Sequence, residues 1–356
     1  MNMRVNMCPC GSGLRQMRCC RMEQGAVVTG DAKRHLLPLV DRAIAHHNKG
    51  ETAEAQKICL DVLELAPGQG GALAVLYQIR RASGPLSAAE ALIRRMVALD
   101  PNNVWATQEL ALLLFTKGDF FESEVHARNA VRIAPNEVQS HTLMGMIMTE
   151  LNRPQIGEYH YREAMRLLPK KQPILLANLA WNIKNQGKMA EARKLYAESV
   201  ALDGTILPTL LGWSRMEETD RDFARADELL DQAEKLSPNN PSISLQRAIV
   251  RSRTKDYAKA LELLDGIAKM TKTGTLGPNA MLEKGRLLDK MERYDEAFAA
   301  FVDGKRATLE LSGNAYMEAH AAQLVERLRR YFTADRLKIV PRAKPVESGP
   351  RPLFIV

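Results

Sequence analysis

Cys8, Cys10, Cys19 and Cys20 are the residues with the most evident chemistry in this chain of 356. They hold four of its five cysteines in the order C-x-C-x8-C-C. Four thiolates this close can surround a tetrahedral zinc ion. Gly11-Ser12-Gly13 gives the backbone the freedom to turn back toward the first pair. Arg15, Arg18 and Arg21 would offset the charge of four thiolates on one divalent ion and help keep them deprotonated. Four protein ligands leave no open position for water, so such a zinc is structural rather than catalytic. Without a metal, the same residues form a redox-sensitive thiol cluster, which is the competing reading. A disulfide framework would spread its cysteines over a secreted domain, and these are clustered at one end.

The stretch resembles the SEC-C motif, a small zinc knuckle at the end of the protein-export motor and on many bacterial proteins. That resemblance implies zinc on Cys8, Cys10, Cys19 and Cys20 and a role as adaptor or local staple. Elsewhere the sequence contains no G-x-G-x-x-G, G-x4-G-K-[ST], H-E-x-x-H or G-x-S-x-G. His46-His47 are adjacent and point in different directions on a helix, so they read as solvated or wall residues. His126, His141, His160 and His320 are read as scattered over different repeats, Cys59 as a core thiol, and Glu217-Glu218 as solvated acids at a helix end. No catalytic residue is assigned, and whether a longer parent is an enzyme stays open.

The elements that position the cluster follow from a period. Pro67, Pro101, Pro135 and Pro169 stand 34 residues apart, Gly204 comes one residue late, and Pro238 follows 34 further on. Each follows an apolar helix end, where proline stops the helix. Twelve residues before each lies a small residue: Ala55, Ala89, Ser123, Gly157, Ala192 and Ala226; Ala260 and Ala297 continue the series. Small residues there let two helices approach closely. Within the unit from Pro173 to Gly204, Leu175, Leu176, Leu179, Ala180 and Ile183 share one helical face. Ala192, Leu195, Tyr196, Ser199 and Val200 share another, with Gly187 between as a left-handed helix end. The pattern resembles the tetratricopeptide repeat (TPR). It implies an all-α, right-handed solenoid of about eight helix-turn-helix units with a capping helix and a small N-terminal zinc knuckle.

The spans read as 1–24 zinc motif, 25–35 linker, 36–331 solenoid with a capping helix over Ala315–Tyr331, and 332–356 basic proline-rich linker. The second unit is the least regular, with Tyr77 at a usually small position and Gly84-Pro85 in place of the turn. The first helices should line the concave side, with Gln108, Glu109, Thr142, Asn178 and Asn182 as groove residues for a protein or peptide partner. The first unit carries Leu37, Val40, Asp41 and Ile44 where some members of this repeat class hold a Lys/Asn/Arg clamp for a C-terminal carboxylate.

The formal net charge of +8 sits at the ends. Residues 1–35 hold six Lys/Arg against two acids and residues 327–356 eight against two, so the repeats between are mildly acidic. No basic stripe runs along them, and contact with nucleic acid or the ribosome rests on the termini and knuckle alone. No secretory signal and no membrane-spanning apolar run is present, which leads to an expected cytoplasmic, bacterial-type protein. After the last helix, four prolines lead to Leu353-Phe354-Ile355-Val356. Repeats followed by Pro-Leu-Phe-Ile-Val resemble the bacterial TPR sulfotransferases. There the strand precedes a loop that binds 3′-phosphoadenosine-5′-phosphosulfate. The resemblance implies the non-catalytic N-terminal portion of such an enzyme, with its catalytic domain lying beyond Val356 and protein tyrosine or a small molecule as the sulfate acceptor.

Overall fold

A computed structural model describes residues 7–21, 30–271, 275–312 and 318–339. Residues 22–29, part of the loop between the seventh and eighth units, and the tail from residue 340 with its expected strand lie outside them. A short N-terminal loop carries a 3-10 turn at Gln16–Arg18 and an isolated antiparallel bridge between Met7 and Arg15. The described residues otherwise form α-helices and turns, with no β-strand.

The helices come in antiparallel pairs, an A helix and a B helix per unit. The first four pairs are α1 (Gly30–Asn48) with α2 (Thr52–Leu65), α3 (Gly70–Ser83) with α4 (Leu86–Leu99), α5 (Val104–Lys117) with α6 (Phe120–Ile133), and α7 (Val138–Glu150) with α8 (Pro154–Arg166). The next four are α9 (Pro173–Asn185) with α10 (Met189–Leu202), α11 (Leu207–Thr219) with α12 (Phe223–Leu236), α13 (Pro241–Arg253) with α14 (Tyr257–Met270), and α15 (Pro278–Lys290) with α16 (Tyr294–Ser312). Each B helix packs on the A helix that follows it, and most A helices also touch the next A helix. The buried side chains form four successive clusters along the chain, as expected of a core built as a strip.

The periodic residues do what their spacing predicts. Ala55, Ala89, Ser123, Ala192, Ala226 and Ala260 are fully buried, and Gly157 and Ala297 are also buried. At Gly157 an added Cβ would lie 3.0 Å from the Gly145 carbonyl and 2.5 Å from Asn182 Nδ2. The turn between the two helices of a unit uses a left-handed residue in seven of eight units: Gly50, Gly118 and Gly187, and otherwise Asn152, Arg221, Lys255 or Glu292. The second unit differs, because Gly84 has φ −114° and Pro85 caps α4.

The first compact unit of the chain is Met1–Lys305 and the second Arg306–Val356. In the second, α17 (Glu318–Tyr331) coincides with most of the helix expected for capping, and none of its residues is buried. A further helix, α18 (Ala334–Ile339), lies inside the span read as linker. It carries Asp335 in its first turn and Arg336 and Lys338 in its last, the charge order that complements a helix dipole. At the other end α1 begins at Gly30, inside the expected 25–35 linker.

Gly145 packs under the Tyr161 ring, and a Cβ there would sit 2.8 Å from two ring carbons. Gly145→Ala is therefore expected to destabilise the array by about 1–3 kcal/mol through overpacking. Gly266→Ala is the matched control on α14, where nothing lies within 4 Å of the new methyl. It should gain roughly 0.5–1 kcal/mol from the reduced freedom of the unfolded chain. Urea midpoints that move the same way in both variants would contradict this packing account.

Candidate metal centre and A-helix face

The four expected ligands come together. The Sγ atoms of Cys8, Cys10, Cys19 and Cys20 all lie within 4.8 Å of one another. Cys10 and Cys19 are 3.5 Å apart and Cys19 and Cys20 3.9 Å. A zinc–sulfur bond of ~2.3 Å gives a tetrahedron edge of about 3.8 Å, so the donor set fits that ion. The backbone turns as the glycines allow: Gly11 and Gly13 are both left-handed, and Cys8 N–H reaches Leu14 C=O at 2.8 Å. Ser12 is buried, accepts Leu14 N–H at 3.3 Å and lies 3.1 Å from Cys19 Sγ.

Burial raises the Cys8 thiol, but the N–H groups of Cys10 and Cys20 aimed at its sulfur outweigh that and hold it at about 7. Burial, then Cys8 and Cys10, push Cys20 up to about 11. Cys19 is pushed further in the same direction, chiefly by burial. Cys59, buried in α2, is pushed up to about 11 by burial alone and stands apart as a core thiol.

The knuckle is seated on the first two units through its own main chain. Arg80 donates from Nε and Nη2 to Ser12 C=O at 3.3 and 3.1 Å. Ser87 donates to Cys10 C=O at 3.2 Å, and Arg95 Nη1 to Arg18 C=O at 2.6 Å. Leu14 is 2% exposed and joins the cluster that includes Cys59 and Leu63. A side chain at Gly11 would meet Pro85 Cγ at 2.8 Å, and one at Gly13 would meet Arg80 at 2.9 Å. The irregular Gly84-Pro85 turn is thus the surface that receives the knuckle.

The cations around the cluster are arranged differently from the expectation. Arg15 pairs with Glu64 of α2, and Arg18 Nε lies 3.8 Å from the same carboxylate. The half-buried guanidinium beside Cys19 and Cys20 is Arg95 of α4; its pKa is lowered by partial burial, against a smaller opposite pull from those two thiols. No local sequence signal marks Arg95, which comes from a helix some 75 residues later. A cleft of about 690 Å³ opens between Cys19, Cys20 and the α4 residues Arg94, Arg95 and Leu99.

Of the five residues expected in the groove, one keeps its polar group available. Asn178 lines a pocket of about 310 Å³ between α9 and α11, with no hydrogen-bond partner among the described residues. Gln108 donates to Ser140 at 2.8 Å, and Thr142 to its own helix at Val138 C=O, 2.9 Å. Glu109 accepts from Tyr77 at 2.8 Å and pairs with Arg81. Asn182 is not a groove residue: it is 0% exposed and donates to Thr149 of the preceding unit at 2.7 Å. A residue missed by the sequence reading is Trp181. It belongs to a row, Leu112, Met146, Trp181, Arg215 and Ile249, one per A helix at spacings of 34 or 35. The four apolar members of that row are half-buried.

Two expectations need correction. Glu217 is 0% exposed, not solvated, because the α10–α11 packing encloses it. It accepts from Arg193 Nη2 at 2.7 Å and from Trp213 Nε1 at 2.7 Å, while Glu218 pairs with Arg253 at 2.7 Å. His141 and His160 both belong to the α7–α8 unit, and its antiparallel hairpin brings them to 3.0 Å between Nδ1 atoms. Pro135 C=O can only accept, so His141 Nε2 carries the proton at 2.9 Å. With that proton on Nε2, the Nδ1 lone pair of His141 can accept from His160 Nδ1–H.

Burial, then His141, lowers the His160 imidazole to about 4, against a smaller opposite pull from Glu163. A base with a lowered folded pKa binds fewer protons folded than unfolded. Its contribution is therefore present above 6.5 and is lost as pH falls toward 4. His160→Gln keeps a donor for His141 but does not titrate. Its melting temperature should fall less than that of the parent across this window; equal slopes would exclude His160 as the cause.

No family model matches the chain, and no curated protein matches it. Solved structures do. A tetratricopeptide repeat protein from Parabacteroides merdae superposes with a TM-score of 0.62 at 13% identity, over 76% of this chain and 100% of that one. The APC/C hetero-tetramer Cut9–Hcn1 gives 0.49 at 15% identity, over 78% and 54%. Pseudomonas aeruginosa pilF gives 0.42 at 21% identity, over 58% and 92%. With the first of these likenesses, the paired helices and the 34-residue period, the fold of this chain is an all-α solenoid of the tetratricopeptide-repeat type.

Proposed function

We propose that this chain is a protein-interaction scaffold that binds an extended peptide segment along its A-helix face. The observation that carries this reading is the row of half-buried apolar side chains Leu112, Met146, Trp181 and Ile249, at one register on the A helices of the third, fourth, fifth and seventh units. Side chains in that state still have apolar area to lose to a partner, at roughly 25 cal/mol per Å². A peptide laid across successive units meets them in turn. Function then rests on these side chains and not on the fold itself. Panning a displayed library of random linear peptides against the whole chain tests it. Enriched peptides should lose binding to a Met146→Ala/Trp181→Ala double variant; peptides indifferent to it would place the binding surface elsewhere.

The N-terminal knuckle, in the same proposal, holds one structural zinc on Cys8, Cys10, Cys19 and Cys20 and clamps the second unit. Support comes from the fitting sulfur spacing and from the three side chains of α3 and α4 that reach knuckle carbonyls. Metal analysis of reduced protein should find one zinc per chain. Chelation should then raise hydrogen exchange in α3 and α4 as well as in residues 7–21, while α9–α14 keep their protection. Exchange that rises only up to Arg21 would leave the metal but remove the clamp, and protein free of zinc would remove both.

The alternative of a substrate-recognition part of a sulfotransferase draws on Pro352–Val356, outside the described residues. In titration calorimetry this chain alone is expected to show no specific binding of 3′-phosphoadenosine-5′-phosphosulfate; saturable binding would revive that alternative.

A further inference from the structure

The pocket between α9 and α11 has polar groups that the fold itself does not use. Its floor is Tyr196 of α10, 1% exposed, whose hydroxyl has no hydrogen-bond partner among the described residues. Gly212 leaves the space above that hydroxyl open, since a Cβ there would sit 3.0 Å from Tyr196 Oη. Trp181, Leu211 and Ile174 supply apolar walls, and Asn178 and Arg215 complete the lining. Arg215 is exposed and makes no ion pair among the described residues. Lys184 lies 4.5 Å over the Trp181 ring and makes no close ion pair among the described residues, with Glu218 acting on it at longer range.

These groups share one preference. The Tyr196 hydroxyl stays protonated because burial raises its pKa, so it is a donor to anything that enters. The guanidinium of Arg215 offers donors only, and the Asn178 amide offers two more. The Tyr196 hydroxyl lines the pocket and is not engaged by the described residues, so an acceptor that enters can pair with it without displacing an internal bond. Arg215 also occupies the place in the A-helix row that Met146, Trp181 and Ile249 fill with apolar side chains. A peptide following the row therefore meets one cationic position among apolar ones.

We infer that this pocket is an anion-accepting subsite, which takes the carboxylate of an Asp or Glu side chain in an extended peptide with apolar flanking residues. The carboxylate would accept from Tyr196 and Arg215, with its methylene against Trp181 and Leu211. Lys184 would add attraction at the rim. The inference rests on the proposed peptide-binding face and specifies its partner as acidic at one position.

The peptides enriched by panning supply the probe. They should carry an Asp or Glu next to an apolar residue. In fluorescence anisotropy, Tyr196→Phe and Arg215→Gln should each raise the Kd of such a peptide about tenfold. Replacing its acid by Asn or Gln should cost as much against the parent protein and little against Arg215→Gln. Tyr196→Phe keeps the packed ring and Arg215 is exposed, so circular dichroism and melting temperature should hold for both variants. Peptides that lack an acid yet lose binding in the Met146→Ala/Trp181→Ala variant would overturn the subsite and leave the face. Peptides that depend on none of these residues would overturn both.

Discussion

Everything in this molecule depends on how closely the two helices of a unit can approach. One residue in each B helix decides that distance, and it carries a side chain no larger than alanine or serine. Where the residue is serine, its hydroxyl is absorbed too: Ser123 donates to Ala111 C=O at 2.7 Å. Where it is glycine, the partner helix comes close enough to put a backbone carbonyl 3.0 Å from the missing Cβ. The space saved on one side is filled on the other by an aromatic ring, as with Gly145 and Tyr161 or Gly285 and Phe301. Once each pair is this tight, its remaining apolar faces have only the next pair to turn to, and the array follows.

The second unit departs from this plan at one point, and the departure has a partner. A left-handed turn residue would close α3–α4 as it closes the other units, but Gly84-Pro85 does so in an extended conformation. The cysteine knuckle rests on that turn, and Arg80, Ser87 and Arg95 hold it by its carbonyls. Charged donors to carbonyls in a partly dry interface are among the stronger hydrogen bonds available to a small motif. The sulfur cluster and the irregular unit are best understood as one structure built from two distant stretches.

Periodicity made the fold legible: the proline spacing, the small residues and Gly50, Gly118 and Gly187 all lie where the 34-residue pattern puts them. The cysteine cluster was legible for the same reason, since its ligands are near one another in sequence. Residues that work across units were not. Asn182 reads as a groove amide because it shares a helix with Asn178, yet it faces Thr149 33 positions earlier. Glu217 reads as half of a solvated pair until Arg193 and Trp213 are found around it. Arg95 and Tyr196 sit in unremarkable helical patterns, and only packing from other helices gives them a role. One helix at a time, a sequence shows which face is apolar but not which polar group on it is already occupied.

The polar bonds that join successive A helices set a further property. Tyr77 to Glu109, Gln108 to Ser140 and Thr149 to Asn182 each connect residues 32 or 33 apart, one unit along. Apolar surfaces tolerate sliding, whereas a hydrogen bond weakens steeply as its angle opens. These rungs therefore act as stops on the pitch of the array between its second and fifth units. Further along, Arg253 of α13 pairs with Glu218 of α11 at 2.7 Å and Lys290 of α15 reaches Ser252 of α13 at 3.2 Å. From α3 to α15 the step without such a rung among the described residues is the one from α9 to α11, so stretch or compression imposed by a partner would be taken up preferentially there. Over that span the array is a spring with one soft joint, beside the pocket between α9 and α11.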